Sequence, residues 1–115
     1  MTDPVVQQLS AEVCVAPQLE PAAMAWAAQR GFKSVINNRP DFEGGPDQPT
    51  SATIEAAARA AGLQYAHLPV APAVQTPEQI AEFAALLASL PKPILAFCRT
   101  GTRSGKLYRA ATGSA

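Results

Sequence analysis

The sequence predicts an α/β domain with a mostly parallel central sheet of about four to five strands flanked by helices. Two observations lead to this prediction. Short apolar segments alternate with longer segments of helical periodicity, an order typical of parallel sheets joined by right-handed crossovers. The segment Ile94–Phe97 is apolar without interruption, as expected for a strand that is covered on both faces.

The predicted strands and helices follow one another along a single domain that spans residues 1–115. The strands are predicted at 13–16, 33–37, 64–68 and 94–97, and the helices at 21–30, 50–61, 77–90 and 103–111. Glycines close the first two helices, and Thr76 with Gln79 forms a capping-box pattern before the third. Residues 1–10 carry little pattern, so we expect them to be weakly ordered, with residues 112–115 as a tail.

The composition excludes several classes of protein. Nine basic and nine acidic residues cancel, which gives no electrostatic signature for nucleic acid or for an anionic membrane. No apolar run approaches the roughly 18 residues that a membrane-spanning helix needs. Two cysteines are too few for a disulfide framework. We therefore expect a cytoplasmic protein without nucleic-acid or membrane partners.

A polar loop between the last strand and the last helix carries the chemistry. Cys98 begins this loop at the carboxyl edge of the predicted sheet, where sites of α/β proteins lie. A helix N-terminus and successive loop amides attract anions and favour a thiolate, which is the nucleophilic form of cysteine. We predict Cys98 as nucleophile and Arg103 as a bidentate anion ligand. The remaining predicted substrate-binding residues of the loop are Arg99, Thr100, Gly101, Thr102 and Ser104.

Two of these residues have a second predicted role. The hydroxyl group of Thr102 or Ser104 could donate a hydrogen bond to the Cys98 thiolate.

The other cysteine, Cys14, stands between two valines and is predicted to be structural. His67, the only histidine, is predicted to be a half-buried strand residue bonded to the backbone. The sequence contains no metal-ligand cluster and no nucleotide-binding glycine motif, so we expect no cofactor.

Arg39 lies at the end of a predicted strand, close to the edge that holds Cys98. It could bind an anionic substrate, or it could pair with Asp41 or Glu43 in its own loop. The same loop contains carboxylates, Glu43 and Asp47, that could supply a general acid. The sequence leaves these alternatives open.

Three segments resemble a known family. They are residues 31–40, residues 61–70 and the loop that begins at Cys98. Together they resemble the phosphatase-like domain of beta-lactamase-hydrolase-like proteins, and the loop alone resembles the signature loops of cysteine phosphatases and rhodaneses. The resemblance implies a dual-specificity-phosphatase-like fold and a small anionic substrate such as thiosulfate, a persulfide or a phosphate ester. It also implies a possible fused or neighbouring metallo-hydrolase domain.

The sequence departs from the phosphatase pattern in three respects. Four residues separate Cys98 from Arg103, as in classical rhodaneses, whereas phosphatases have five. Phe97 replaces the histidine that precedes the phosphatase nucleophile. Residues 69–75 contain no carboxylate to protonate a leaving group.

These departures favour sulfur transfer. The first prediction is therefore a rhodanese-like sulfurtransferase that carries sulfane sulfur from thiosulfate or a persulfide as a Cys98 persulfide. The alternative is a cysteine-dependent phosphatase of dual-specificity type that acts through a phosphocysteine. A third hypothesis is an anion-binding module of a larger hydrolase.

Overall fold

The computed structural model describes residues 4–113, so the predicted tail residues 114 and 115 lie outside the described residues. One five-stranded sheet has the order β1-β2-β5-β3-β4, which confirms the predicted α/β class. The strands are β1 Gln7–Gln8, β2 Val13–Ala16, β3 Ser34–Asn37, β4 Gln64–His67 and β5 Ile94–Phe97. The helices are α1 Ala23–Gln29, α2 Ser51–Ala60, α3 Pro77–Ser89 and α4 Thr102–Thr112.

The central strand β5 sets the position of the functional loop. It pairs in parallel with β2 on one side and with β3 on the other, and β3 pairs in parallel with β4. In this register Phe97 stands beside Ala16 and Asn37. The segments that follow these three residues therefore emerge together at the carboxyl edge of the sheet.

No strand is predicted in the first ten residues, but Gln7–Gln8 forms the edge strand β1. It pairs antiparallel with β2, with Gln7 opposite Val15. Both of its side chains are exposed, so the strand lacks the apolar alternation from which a strand is predicted. The strand is held by this backbone pairing and by the flanking residues Val6 and Leu9, which pack against the core.

The two faces of the sheet are covered by different helices. Residues of β5 alternate between the faces. Leu95 packs in a cluster with residues of α1 and α2, whereas Ile94 packs with Phe83 of α3 and Leu107 of α4. This burial on both sides explains the uninterrupted apolar sequence of the strand.

The helices begin in different ways. Thr50 caps α2 by accepting a hydrogen bond from the Thr53 amide, and Thr76 caps α3 through the predicted capping box. Helix α4 begins at Thr102, one residue before the predicted start, and its N-cap residue Gly101 supplies no side-chain cap. The amides of the first turn of α4 are therefore left to other partners.

A buried asparagine joins the segments at the carboxyl edge. The Nδ2 atom of Asn38 donates to the carbonyl oxygen of Leu68 at 3.0 Å, and its Oδ1 atom accepts from the Ser104 hydroxyl at 2.8 Å. Its backbone amide donates to the carbonyl oxygen of Phe97 at 2.8 Å. One side chain thus fixes the loop after β4 and the start of α4 relative to each other.

We predict that Asn38→Ala lowers the free energy of unfolding by about 3 kcal/mol, because it leaves two buried polar groups without a partner. Urea unfolding measures this change. The control is Gln64→Ala, at an exposed position of β4, for which we expect a change of about 0.5 kcal/mol or less. Equal effects of the two substitutions would contradict the role given to Asn38.

Candidate active site

Cys98 lies at the start of the loop that joins β5 to α4. Only 1% of the Cys98 surface is exposed to solvent. Its backbone amide donates to the carbonyl oxygen of Ala16 at 3.3 Å, and the Gln18 amide donates to the carbonyl oxygen of Arg99 at 3.2 Å. The loop is therefore attached to the segment that follows β2.

The Gly101 amide donates a hydrogen bond to the Cys98 Sγ atom at 3.0 Å. This contact requires a sharp turn of the backbone. Gly101 has a φ of +92°, a value that residues with a Cβ atom rarely adopt. The turn directs a backbone donor at the sulfur. Such a donor stabilises negative charge on sulfur more than it stabilises the neutral thiol.

The start of α4 adds further donors to this loop. The Thr102 amide donates to the Thr100 hydroxyl at 3.4 Å, but within residues 4–113 the amides of Arg103 and Ser104 have no acceptor. Free amides and the partial positive charge at a helix N-terminus form an anion-binding arrangement. The loop thus combines a sulfur atom with a surface that is able to hold an anion.

Arg103 has a buried side chain that is 7% exposed. Its Nη1 atom donates to Glu43 Oε2 at 3.0 Å and to the Val70 carbonyl oxygen at 2.9 Å, and its Nη2 atom donates to Glu43 Oε1 at 3.1 Å. Its Nε atom is buried and has no partner among the described residues. An oxyanion bound in the loop would provide the missing acceptor.

Arg39 shares the same carboxylate. Its Nε atom donates to Glu43 Oε1 at 2.9 Å, and its Nη1 atom donates to Gln18 Oε1 at 3.0 Å. Of the two predicted roles, the structure therefore shows the ion pair with Glu43. Asp41 is engaged elsewhere, because it accepts a hydrogen bond from the Ser51 amide.

Glu43 lies between the two guanidinium groups. Burial alone would raise the pKa of its carboxyl group, but the hydrogen bonds and charges of Arg103 and Arg39 outweigh burial and lower the pKa. The group is therefore an ionised counter-charge at neutral pH. This disagrees with the expectation that Glu43 supplies a general acid. The other carboxylate of that expectation, Asp47, is exposed.

Four of the predicted site residues line a cavity of about 250 Å³ beside the loop, together with two residues that were not predicted. The members of this lining are Arg99, Thr100, Thr102, Arg103, Pro72 and Lys106. Lys106 stands one turn after Thr102 on α4, so helical spacing from the loop could have identified it.

Ser104 is not placed as predicted. It is fully buried, and its hydroxyl group donates to Asn38 instead of Cys98. The donor to the sulfur is the Gly101 amide. His67 does have its predicted role, because its Nε2 atom is bonded to the Arg39 carbonyl oxygen at 2.9 Å.

Cys14 and Cys98 are both free thiols. Burial raises the pKa of the Cys14 thiol, which disfavours its reactive thiolate. In residues 4–113, no three side chains of His, Cys, Asp or Glu are grouped so that they could hold a metal ion. Over the same range, no helix is long and apolar enough to cross a membrane.

Residues 6–115 match the family described as beta-lactamase hydrolase-like protein, phosphatase-like domain. The chain belongs to this family. The match confirms the resemblance noted in the sequence. A beta-lactamase hydrolase-like protein from Xylella fastidiosa is 42% identical over 81 residues, which are 70% of this chain and 19% of that protein. The chain thus spans about a fifth of the length of this relative.

Solved structures resemble this phosphatase-like domain closely. A candidate phosphatase from Neisseria meningitidis superimposes with a TM-score of 0.81 at 35% identity, covering 88% of this chain and 71% of that one. A second candidate phosphatase, from Shewanella putrefaciens, gives 0.79 at 19% identity, with coverage of 93% and 66%. The predicted dual-specificity-phosphatase-like fold is confirmed.

We predict that Glu43→Gln lowers the free energy of unfolding by about 2 kcal/mol at neutral pH, because two buried guanidinium groups lose their counter-charge. The folded-state pKa of Glu43 is lowered from 4.5. Its contribution is therefore complete above that value and is lost as the pH falls through the folded-state pKa. The difference between wild type and variant should shrink in acid.

Urea unfolding at neutral pH and at successively lower pH measures this difference. Glu55→Gln is the matched control, because Glu55 pairs with Arg59 at an exposed position and should contribute about 0.5 kcal/mol or less. A difference between wild type and Glu43→Gln that does not change with pH would show that Glu43 is not stabilised as a carboxylate.

Proposed function

We propose that this phosphatase-like domain hydrolyses phosphorylated substrates through a phosphocysteine on Cys98. The observation that carries the proposal is the unpartnered, buried Nε atom of Arg103 beside a loop whose Gly101 amide contacts the Cys98 sulfur. The family and the structural neighbours support the phosphatase alternative better than the sulfurtransferase prediction that the sequence favoured.

In the proposed reaction the Cys98 thiolate attacks phosphorus, so that an S–P bond forms and the bond to the leaving oxygen breaks. The amides of Arg103 and Ser104 and the Arg103 guanidinium would stabilise the negative charge on the transferred phosphoryl group. Water then attacks phosphorus, which breaks the S–P bond, returns the thiolate and releases inorganic phosphate. Gly101 would hold the sulfur in place by its amide.

The leaving group receives no proton from a carboxylic acid in the expected place. Residues 69–75 contain no carboxylate, and Glu43 is the ionised partner of two arginines. Loss of a general acid commonly costs about 10²–10⁴-fold in rate. Substrates whose leaving group is a stable anion, such as aryl phosphates, avoid this cost.

Sulfur transfer is a second candidate because the loop has the rhodanese spacing of four residues between Cys98 and Arg103. In that reaction the Cys98 thiolate would attack the outer sulfur of thiosulfate. A new S–S bond would form and sulfite would leave with the electron pair of the old one. This reaction also needs no general acid.

A partner domain is part of the proposal. The Xylella relative is named as a hydrolase-like protein and is about five times as long as the segment that matches this chain. We propose that this domain works beside a metallo-hydrolase domain, either fused or as a separate chain. Such an arrangement would place the domain's product close to a second active site.

We expect Cys98→Ser to lower kcat/KM for 4-nitrophenyl phosphate by about 10³-fold or more, because the nucleophile is lost. Cys14→Ser is the matched control and should retain activity. Mass spectrometry after rapid quenching should detect a phosphoryl group on Cys98. A gain of one sulfur after incubation with thiosulfate, without phosphatase activity, would instead establish sulfur transfer.

Arg103→Lys should lower kcat/KM for the same substrate by about 10²-fold, because an ammonium group cannot offer the Nε donor while it pairs with Glu43. Steady-state kinetics measures the loss. Arg109→Lys, on the same helix α4, makes the same chemical change away from the loop and should have little effect. Similar kinetics for both variants would remove Arg103 from the proposed site.

A further inference from the structure

The cavity beside the loop collects positive charge. Its lining contains Arg99, Arg103 and Lys106, two threonines and a proline, and no carboxylate. The chain as a whole has nine lysines and arginines and a net charge of zero, so a third of its cations face one cavity. This concentration of charge favours an anionic occupant.

Two of the three cations have no counter-charge. Arg103 pairs with Glu43, but Arg99 and Lys106 make no ion pair within residues 4–113. Both are exposed; Arg99 lies in the loop directly after Cys98, and Lys106 lies on the second turn of α4. A bound anion would receive charge from both residues without having to displace an internal partner.

The cavity borders the loop that would hold the transferred phosphoryl group. Arg103 and the loop residues Thr100 and Thr102 border it, whereas Cys98 does not. Its volume of about 250 Å³ lies below the roughly 300–1,000 Å³ typical of pockets for drug-sized ligands. The space therefore suits one small charged group next to the phosphoryl group that is transferred.

We infer that the substrates are small phosphoanhydrides, whose second phosphate group binds Arg99 and Lys106 in this cavity and departs as the leaving group. The inference rests on the proposed function. Attack by the Cys98 thiolate forms the S–P bond and breaks the bond from phosphorus to the bridging oxygen. The electron pair of that bond stays on the oxygen of the departing phosphate.

This substrate class explains the absence of a carboxylic acid from residues 69–75. A phosphate leaves as a stabilised anion, and two cations beside its oxygens stabilise the charge that develops in the transition state. An alkyl phosphate would leave as an alkoxide, which is a poor anion, and the cavity lining contains no carboxylic acid to protonate it. Hydrolysis of the phosphocysteine by water then gives a second phosphate and restores the thiolate.

The test compares phosphate release from pyrophosphate and from 4-nitrophenyl phosphate by the same preparations. The measured quantity is the ratio of kcat/KM for pyrophosphate to kcat/KM for the aryl ester. We expect Arg99→Ala and Lys106→Ala to lower this ratio about tenfold each, because each removes a charge-assisted contact to the second phosphate. The double variant should lower it further.

The control is the double variant Lys33→Ala/Lys92→Ala. Both lysines are exposed, and they precede β3 and β5 at the opposite edge of the sheet. The control removes the same net charge and should leave the ratio unchanged. Calorimetry of the Cys98→Ser protein should also show tighter binding of pyrophosphate than of orthophosphate, with the difference lost in Arg99→Ala/Lys106→Ala.

The outcomes separate the two proposals. If the aryl ester is hydrolysed in a Cys98-dependent manner but the ratio does not depend on Arg99 and Lys106, the phosphoanhydride inference is wrong and the phosphatase proposal stands. If neither substrate is hydrolysed, the proposed function fails and the inference fails with it. If the ratio falls equally in the Lys33→Ala/Lys92→Ala control, the change in net charge alone explains the effect and the inference is wrong.

Discussion

The buried guanidinium group of Arg103 is the constraint on which the arrangement of this edge depends. A charge in such a place is costly unless it is paired, and Glu43 supplies the pairing with both carboxylate oxygens. The Val70 carbonyl oxygen accepts from the same guanidinium, and Gln75 donates to the backbone oxygen of Arg103. The loops that follow β3 and β4 are thus both attached to the residue that would bind the substrate anion.

Some hydrogen-bond donors of the loop have partners and others have none. Thr50 and Thr76 cap α2 and α3, whereas α4 begins at the uncapped Gly101. The Arg103 Nε atom is likewise buried, and it has no partner in the part of the chain that the structure describes. Each unsatisfied buried donor costs about 1–3 kcal/mol. Trp26 Nε1 on α1 is a second buried donor without a partner among residues 4–113, but only at the loop does such a donor lie beside open helix amides. An anion bound there would satisfy both kinds of donor.

The sequence was sufficient for the features that depend on local pattern. The apolar run of β5, the capping box at Thr76 and the loop from Cys98 to Arg103 all follow from adjacent residues. The contacts of Glu43 and Asn38 do not, because they depend on strand register and on the path of the loop after β3. The same limit applies to β1, whose two side chains are exposed and show no apolar alternation. Ser104 shows the reverse case, since its place in the loop suggested a ligand to the sulfur while its buried neighbour Asn38 determined its contact.

The missing general acid has a different meaning once the structure is considered. In the sequence, the lack of a carboxylate at 69–75 argued for sulfur transfer, because sulfite leaves without a proton. The cavity lined by Arg99 and Lys106 offers another way to stabilise a leaving group, namely by fixed positive charge. A phosphatase needs an acid only when its leaving group is a poor anion. Under the proposed function, the chemistry of the leaving group, rather than the spacing between Cys98 and Arg103, would therefore decide which anionic substrates this loop can process.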